Sequence, residues 1–163
     1  MRGPVRNEAL IDQLMQVPLF QQRVSGDLRE RIQWFAHTHQ PRVSEIAMTP
    51  RLVHGDFNSR NVFVHRTMQG WRVSAILDWE FALAASPFVD IGNFLRYERA
   101  PRRWYEPNFS RGLRDGGMEL PSDWLLLARL MDLPACVEFL GRPHTPTAVV
   151  DEIRKLIADT VTM

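Results

Sequence analysis

The stretch RLVHGDFNSRNVFVHRTMQGWRVSAILDW, residues 51–79, decides the fold, because it places polar loops around short apolar runs. Apolar residues dominate 61–65 and alternate with other residues over 71–77, and a short turn-like segment separates the two runs. This pattern predicts a β-hairpin. A further β-like run at 51–53 precedes it, followed by the polar loop 54–60. We therefore expect polar residues at both mouths of one small hairpin.

Helical spacing of apolar residues dominates the chain on both sides of this hairpin. We expect 42–50 to be irregular, 99–117 to be a long connection, and Asp27 to cap a helix start. The fold class expected is α+β and mostly helical, with one small central hairpin. The predicted helices cover residues 7–20, 28–39, 88–97, 108–114, 121–140 and a last stretch after Pro146. We expect Pro18 to introduce a break or a new turn, Pro41 to end its helix, and Pro134 to break or kink a helix that resumes to Leu140.

Composition and charge narrow the class of protein. The chain has 163 residues, of which 45% are hydrophobic and 24% charged, as in an ordinary soluble globular domain. Its net charge of +1 gives no reason to expect nucleic acid or a membrane as a partner. Cys136 is the single cysteine, so no intramolecular disulfide can form. The N-terminus lacks an apolar signal region, and we expect a cytoplasmic protein.

Three polar segments around the hairpin carry candidate chemistry. The first runs from His54 to Asn61 and contains Asp56, the second holds Asp78, and the third holds Asp90. Phosphoryl transfer needs a carboxylate beside the attacking hydroxyl and Mg²⁺ beside the phosphates. Magnesium prefers hard oxygen ligands and keeps several waters. Because a hairpin returns the chain to its starting point, these side chains can meet at one site.

The segment HGDFNSRN, residues 54–61, resembles the catalytic loop of aminoglycoside phosphotransferases and choline kinases. AILDWEFA at 75–82 resembles the segment that holds the second metal ligand of that family, and SPFVDIG at 86–92 resembles the helix start that follows. The resemblance covers residues 51–98. It implies a protein-kinase-like fold and an ATP- and Mg²⁺-dependent transfer of the γ-phosphate to a hydroxyl of a small molecule. An aminoglycoside-like, choline-like or sugar-like acceptor would fit the resemblance.

The same resemblance implies a role for each matching residue. Asp56 would be the catalytic base, and Asn61 and Asp78 the magnesium ligands. Glu80 would reach the metal or its waters, and His54 and Asp90 would support the catalytic loop. Position alone suggests Arg60 as a phosphate contact and Trp79, next to Asp78, as a residue on the substrate side. The resemblance implies that Tyr97 and Glu98 also lie on the substrate side, because they follow the helix after which relatives bind their acceptors.

The small, β-rich lobe that grips the nucleotide in such kinases is not evident in this sequence. The first fifty residues predict helices, no glycine-rich loop occurs, and Lys155 is the only lysine. We therefore expect a single C-terminal catalytic lobe over 1–163, with leading helices at 1–50, a catalytic and metal-binding core at 51–98 and a helical subdomain at 99–163. The chain would be a truncation, would pair with a separate N-lobe chain, or would form a homodimer through the exposed N-lobe-facing surface.

Other functions stay open at this stage. A catalytically incomplete lobe could bind Mg²⁺-nucleotide weakly or bind a protein, and the same ligands could activate water in a phosphohydrolase. Individual residues also have structural interpretations: His54 as a core histidine, Asp56 and Asn61 as loop-capping groups, and Asp90 as a helix N-cap. The arginines at 99, 102 and 103 could bind an anion, although a solvated loop explains them as well.

Overall fold

The computed structural model describes residues 7–47, 49–98 and 104–163. It is an α+β fold in which helices predominate, as predicted. The arginines at 99, 102 and 103 lie outside the described residues. In chain order the elements are α1 (Asn7–Leu14), α2 (Pro18–Arg23), α3 (Gly26–Ala47), β1 (Arg51–Val53), β2 (Val62–Thr67), β3 (Gly70–Ile76), a 3-10 turn (Trp79–Phe81), β4 (Leu83–Ala85), α4 (Phe88–Phe94), α5 (Glu106–Asp115), α6 (Trp124–Gly141) and α7 (Thr147–Thr160).

Helix α6 is the centre of the hydrophobic core. It packs against α1, α2, α3, α4 and α7, and side chains all around it are buried, as expected for a helix with neighbours on several sides. Helix α4 approaches α6 most closely at Gly92, where a Cβ atom would clash with the carbonyl oxygen of Ala128. The glycine of the Asp-Ile-Gly segment is therefore a packing requirement, and it fixes α4 on the core.

The β structure forms two separate antiparallel pairs. Strands β2 and β3 form the predicted hairpin, with Val62 opposite Ile76 and an irregularity between Phe63 and Val64. Strands β1 and β4 form the second pair, with Val53 opposite Leu83. The sequence analysis missed β4, because three residues give too short a pattern to distinguish a strand from a loop. This second pair joins the start of the polar loop to the chain that leads into α4.

The structure corrects several predicted boundaries. The first predicted helix is two helices, because Pro18 begins α2 at a position where a missing N–H does little harm. Helix α3 continues through Pro41 to Ala47, so the prediction that 42–50 is irregular was wrong for 42–47. Arg42 makes two hydrogen bonds of 3.0 Å with Asp123 ahead of α6, and this tertiary contact helps to hold the last turns of α3 helical despite the proline.

Two predicted helix caps are also wrong. Asp27 lies inside the first turn of α3, and the hydroxyl of Ser25 accepts a hydrogen bond from the Leu28 N–H at 3.4 Å instead. Asp90 lies inside α4, whose N-cap position is Pro87. Its carboxylate therefore does not cap α4 and instead bonds the backbone of the polar loop.

Helix length and apolarity are the two requirements for a membrane span. No helix in the described ranges combines them.

Candidate functional site

The polar loop 54–61 is fixed to helix α4 by one carboxylate. Asp90 accepts a hydrogen bond from the His54 N–H at 2.7 Å and another from the Gly55 N–H at 2.9 Å. Gly55 has a φ of +82°, and a Cβ there would clash with the carbonyl oxygen of Phe81. Only glycine meets both conditions without strain. The His-Gly-Asp segment is thus shaped by a left-handed turn that packs directly on the chain after β3.

The His54 ring links the loop to the end of the hairpin. Its Nε2 bonds the carbonyl oxygen of Leu77 at 2.7 Å, and its Nδ1 accepts from the Asp56 N–H at 3.3 Å. A neutral ring with its proton on Nε2 satisfies both contacts. The ring is 2% exposed and lies 4.7 Å from the Trp79 ring. His54 is therefore a buried structural connection whose hydrogen bonds are both used.

Asp56 and Asn61 are in direct contact across the loop. The amide nitrogen of Asn61 donates to the Asp56 carbonyl oxygen at 3.0 Å and to its carboxylate Oδ2 at 3.3 Å. Asn58 donates to the same carbonyl at 3.1 Å and accepts from the Arg60 N–H at 3.0 Å. Because both amides converge on one carbonyl, the loop curls around Asp56 and holds its carboxylate beside Asn61.

Asp78 is brought to this loop through its neighbour in the chain. The Leu77 N–H donates to the Asn61 carbonyl oxygen at 3.0 Å, and the Leu77 carbonyl accepts from His54. Asp78 then adopts φ 69° and ψ 53°, and it is the one non-glycine residue with a positive φ in the described ranges. Aspartate is one of the few residues that tolerates this region. The left-handed residue ends β3 and starts the 3-10 turn.

Unused oxygen atoms remain on two of these side chains. No residue in the described parts of the chain donates a hydrogen bond to the side-chain oxygen of Asn61 or to the Asp78 carboxylate. Within the same ranges, no three His, Cys, Asp or Glu side chains are grouped to hold a metal ion. An amide and a carboxylate beside the phosphates fit Mg²⁺, which needs few protein ligands and completes its shell with phosphate and water.

The remaining predicted residues near the loop, Arg60, Trp79 and Glu80, are exposed. Arg60 and Glu80 are exposed, the first within the loop and the second in the 3-10 turn. Trp79 is 45% exposed, and its Nε1 donates to the Ile76 carbonyl oxygen at 2.8 Å. This bond and the contact with His54 hold the indole against the loop. Arg60 and Glu80 thus have freedom to reach a ligand, whereas Trp79 is partly committed to the fold.

Tyr97 and Glu98 differ in exposure and in hydrogen bonding. Tyr97 is half exposed, and partial burial raises the pKa of its hydroxyl, with Arg96 opposing the effect. Glu98 is buried, and its carboxylate accepts from the N–H groups of Tyr105 at 2.9 Å and Glu106 at 3.4 Å. Glu98 therefore binds the start of α5 in this structure. A contact of either residue with an acceptor stays a prediction.

An aromatic stack supports the loop from below, and the sequence analysis did not single it out. Phe57 stacks on Phe94 of α4 at 5.2 Å between ring centroids, and Phe94 stacks on Phe109 of α5 at 4.6 Å. Asn58 was likewise missed, although asparagine after a turn is a recognisable signal for a side chain that bonds the nearby backbone. The stack had no such signal, because its three members are far apart in the sequence.

A comparison with protein families gives a clear result. The sequence matches the model of the phosphotransferase enzyme family over residues 6–124, which is well over half of the chain. The chain therefore belongs to this family, as the resemblance of its loops implied. No curated protein and no solved structure matches it. The family match includes the polar loop, the hairpin and helices α1 to α5.

Proposed function

We propose that this chain transfers the γ-phosphate of ATP to a hydroxyl group of a small molecule, such as an aminoglycoside-like, choline-like or sugar-like acceptor. Membership of the phosphotransferase family supports the reaction class. The observation that carries the proposal is the direct contact between Asp56 and Asn61, on a loop bonded to the residue that precedes Asp78. We also propose that residues 51–98 belong to the larger lobe of a protein-kinase-like fold in a cytoplasmic enzyme.

In this mechanism Asp56 orients the acceptor hydroxyl and accepts its proton as the new oxygen–phosphorus bond forms. The bond between the γ-phosphorus and the bridging oxygen of ATP breaks in the same step, and ADP leaves. Asn61 holds the Asp56 carboxylate with its amide nitrogen and offers its oxygen, together with Asp78, to Mg²⁺. When held there, Mg²⁺ would supply positive charge to neutralise the phosphate oxygens. Glu80 is the candidate for a water-mediated contact near the metal, and Arg60 for a contact with phosphate.

The supporting residues act through position. Asp90 and His54 hold the backbone from His54 to Asp56 and connect it to Leu77, so bonds within the chain arrange this part of the loop. A site that is already arranged loses less free energy to reorganisation during the reaction. We propose that these two residues are positioning residues and make no contact with the substrate.

The decisive assay is ATP consumption over a panel of aminoglycosides, macrolides, choline and sugars. Asp56→Asn should lower turnover at least about 100-fold, because general base catalysis contributes that much or more. Asp159→Asn makes the same chemical change on an exposed face of α7 and should leave turnover unchanged. Full activity of Asp56→Asn would contradict the assigned base. Phosphate release without any acceptor would instead indicate a phosphohydrolase.

The alternative function is a catalytically incomplete lobe that binds Mg²⁺-nucleotide weakly or binds a protein. The observation in its favour is the place of Lys155, the only lysine in the chain, which is exposed on α7. A lysine on the phosphates is a standard part of kinase sites. Calorimetry with Mg²⁺-ATP separates the two functions. Micromolar affinity favours the enzyme, and millimolar affinity without turnover favours the binding module.

An exposed apolar surface supports the predicted partner. Large apolar side chains are exposed on both strand pairs and on the 3-10 turn, among them Val73, Phe81 and Leu83. Such surfaces on soluble domains commonly mark contact sites. We propose that a nucleotide-gripping lobe covers it, and a homodimer is the alternative. Analytical ultracentrifugation tests the alternative: a concentration-dependent dimer that is lost in Phe81→Ser would favour the homodimer.

A further inference from the structure

A pocket of about 320 Å³ lies beneath the polar loop. Its lining includes the loop residues His54 and Phe57, the α5 residues Phe109 and Leu113, and Met118. Small-molecule sites begin at about 300 Å³, and most are lined by apolar and aromatic side chains. The pocket therefore has the size and the lining of a ligand site.

The polar groups of this pocket are already satisfied. Its two ionisable lining residues are His54 and Asp90. Both oxygens of Asp90 accept backbone N–H bonds, and both nitrogens of His54 are bonded within the fold. An anionic ligand would lose its hydration and meet the Asp90 carboxylate, at a large cost, and a cationic ligand would gain only that one carboxylate, whose oxygens already accept backbone bonds. The lining thus selects a neutral, compact molecule that is largely apolar.

The position of the pocket sets it apart from the proposed chemistry. His54, Asp90 and Trp79 line it, and these residues support the loop through hydrogen bonds and ring contacts. Asp56, Asn61 and Asp78 are not among the lining residues. A molecule in the pocket would press on the supports of the loop and leave the proposed reacting groups open.

We infer that this pocket is a binding site for a neutral, compact apolar molecule, and that its occupation stabilises the polar loop. The ligand would contact the loop residues His54 and Phe57 and the α5 residues Phe109 and Leu113, and would restrict movement of both segments. A ligand in the pocket would first protect the His54 and Gly55 N–H groups from exchange, because these groups donate to Asp90, which lines the pocket. The inference depends on this geometry and stands whether or not the chain transfers phosphate.

The test uses 2-naphthylmethanol as the neutral probe, with 2-naphthoate and 2-naphthylmethylammonium as charged matches. Methyl-labelled methionine gives the readout, and Met118→Leu assigns the pocket signal. The neutral probe should shift the Met118 methyl resonance, and the charged probes should bind at least about tenfold more weakly because of the cost of burying a charge. An unchanged Met118 resonance with the neutral probe, or equal affinity for all three probes, would overturn the proposed site.

Two variants locate the probe. Leu113→Trp should fill the pocket and weaken probe binding at least about tenfold, because overpacked space admits no ligand. Leu10→Trp adds the same indole to an exposed position on α1 and should leave binding unchanged. Should Leu113→Trp fold poorly, the Met118 shift in the unmodified chain still decides. A concentration-dependent Met118 shift without probe would assign the pocket to a second copy and overturn the proposal.

Hydrogen exchange tests the effect on the loop. Saturating probe should slow exchange of the His54 and Gly55 amides several-fold, while amides in the exposed hairpin β2–β3 should exchange as before. Unchanged exchange at both loop positions, despite a clear Met118 shift, would refute the claim that the ligand stabilises the loop.

Discussion

Removing the Asp90 carboxylate tests how the polar loop is held. Asp90→Ala leaves the His54 and Gly55 N–H groups without the acceptor that they reach at 2.7 and 2.9 Å. Hydrogen bonds to a charged group contribute about 1.5–3 kcal/mol each. Asp90 is half-buried, so water can replace part of the loss, and we expect a destabilisation of about 3 kcal/mol. That is a large share of the roughly 5–15 kcal/mol that stabilises a typical domain.

Urea unfolding followed by circular dichroism measures the global change, and hydrogen exchange measures the local one. The His54 and Gly55 amides should exchange at least about tenfold faster in Asp90→Ala, because each has lost its acceptor. Asp90→Asn keeps one acceptor oxygen, so its stability and its loop exchange rates should lie between those of the unmodified chain and those of Asp90→Ala. Asp159→Ala on α7 is the surface control and should stay within about 0.5 kcal/mol. A similarly small change for Asp90→Ala, with loop exchange unaltered, would refute the reasoning.

Three further predictions concern α4 and its surroundings. Gly92→Ala should cost at least about 1–3 kcal/mol, because its Cβ would clash with α6. Gly112→Ala, with open space around its Cβ, should instead stabilise the chain by about 0.5–1 kcal/mol in the same unfolding assay. Arg96→Met should cost about 3–5 kcal/mol because it strands buried Asp132, whereas adding Asp132→Leu should restore most of the stability. Burial raises the pKa of Tyr97 above the unfolded value, so stability should fall as pH rises above 10, and Tyr97→Phe should flatten that slope in alkaline unfolding curves. Equal slopes in the two proteins would contradict this assignment.

The hairpin and the helical class were predictable because they depend on local pattern. Alternating and helical spacing of apolar residues identified β2, β3, α4 and the C-terminal helices. Boundaries were less predictable where tertiary contacts outweigh local preference. Pro41 should end a helix by its own chemistry, yet α3 continues past it while Val43 is buried and Arg42 bonds Asp123. No local signal announces that Asp123, 81 positions away, will be the partner.

In the candidate site, too, local spacing was predictable and tertiary hydrogen bonds were not. The spacing of Asp56 and Asn61 placed them on one loop, and the structure has them in contact. The two oxygens of Asp90 are bonded to the loop backbone, an arrangement that helix position alone had described as an N-cap. Glu98 followed the same helix and was a candidate for the substrate side, but its carboxylate binds the start of α5. Sequence thus identifies which residues carry oxygen atoms, and only the fold decides which of those atoms are already used.

We propose that Asn61 and Asp78 hold one magnesium position beside the phosphates and next to Asp56. The most direct measurement is paramagnetic broadening of amide signals by Mn²⁺-ATP, with Mn²⁺ substituting for Mg²⁺. We predict selective broadening at these three residues, and its loss in Asp78→Ala while Asp151→Ala on α7 behaves like the unmodified chain. Broadening concentrated on other exposed carboxylates, or unaffected by Asp78→Ala, would contradict the claim.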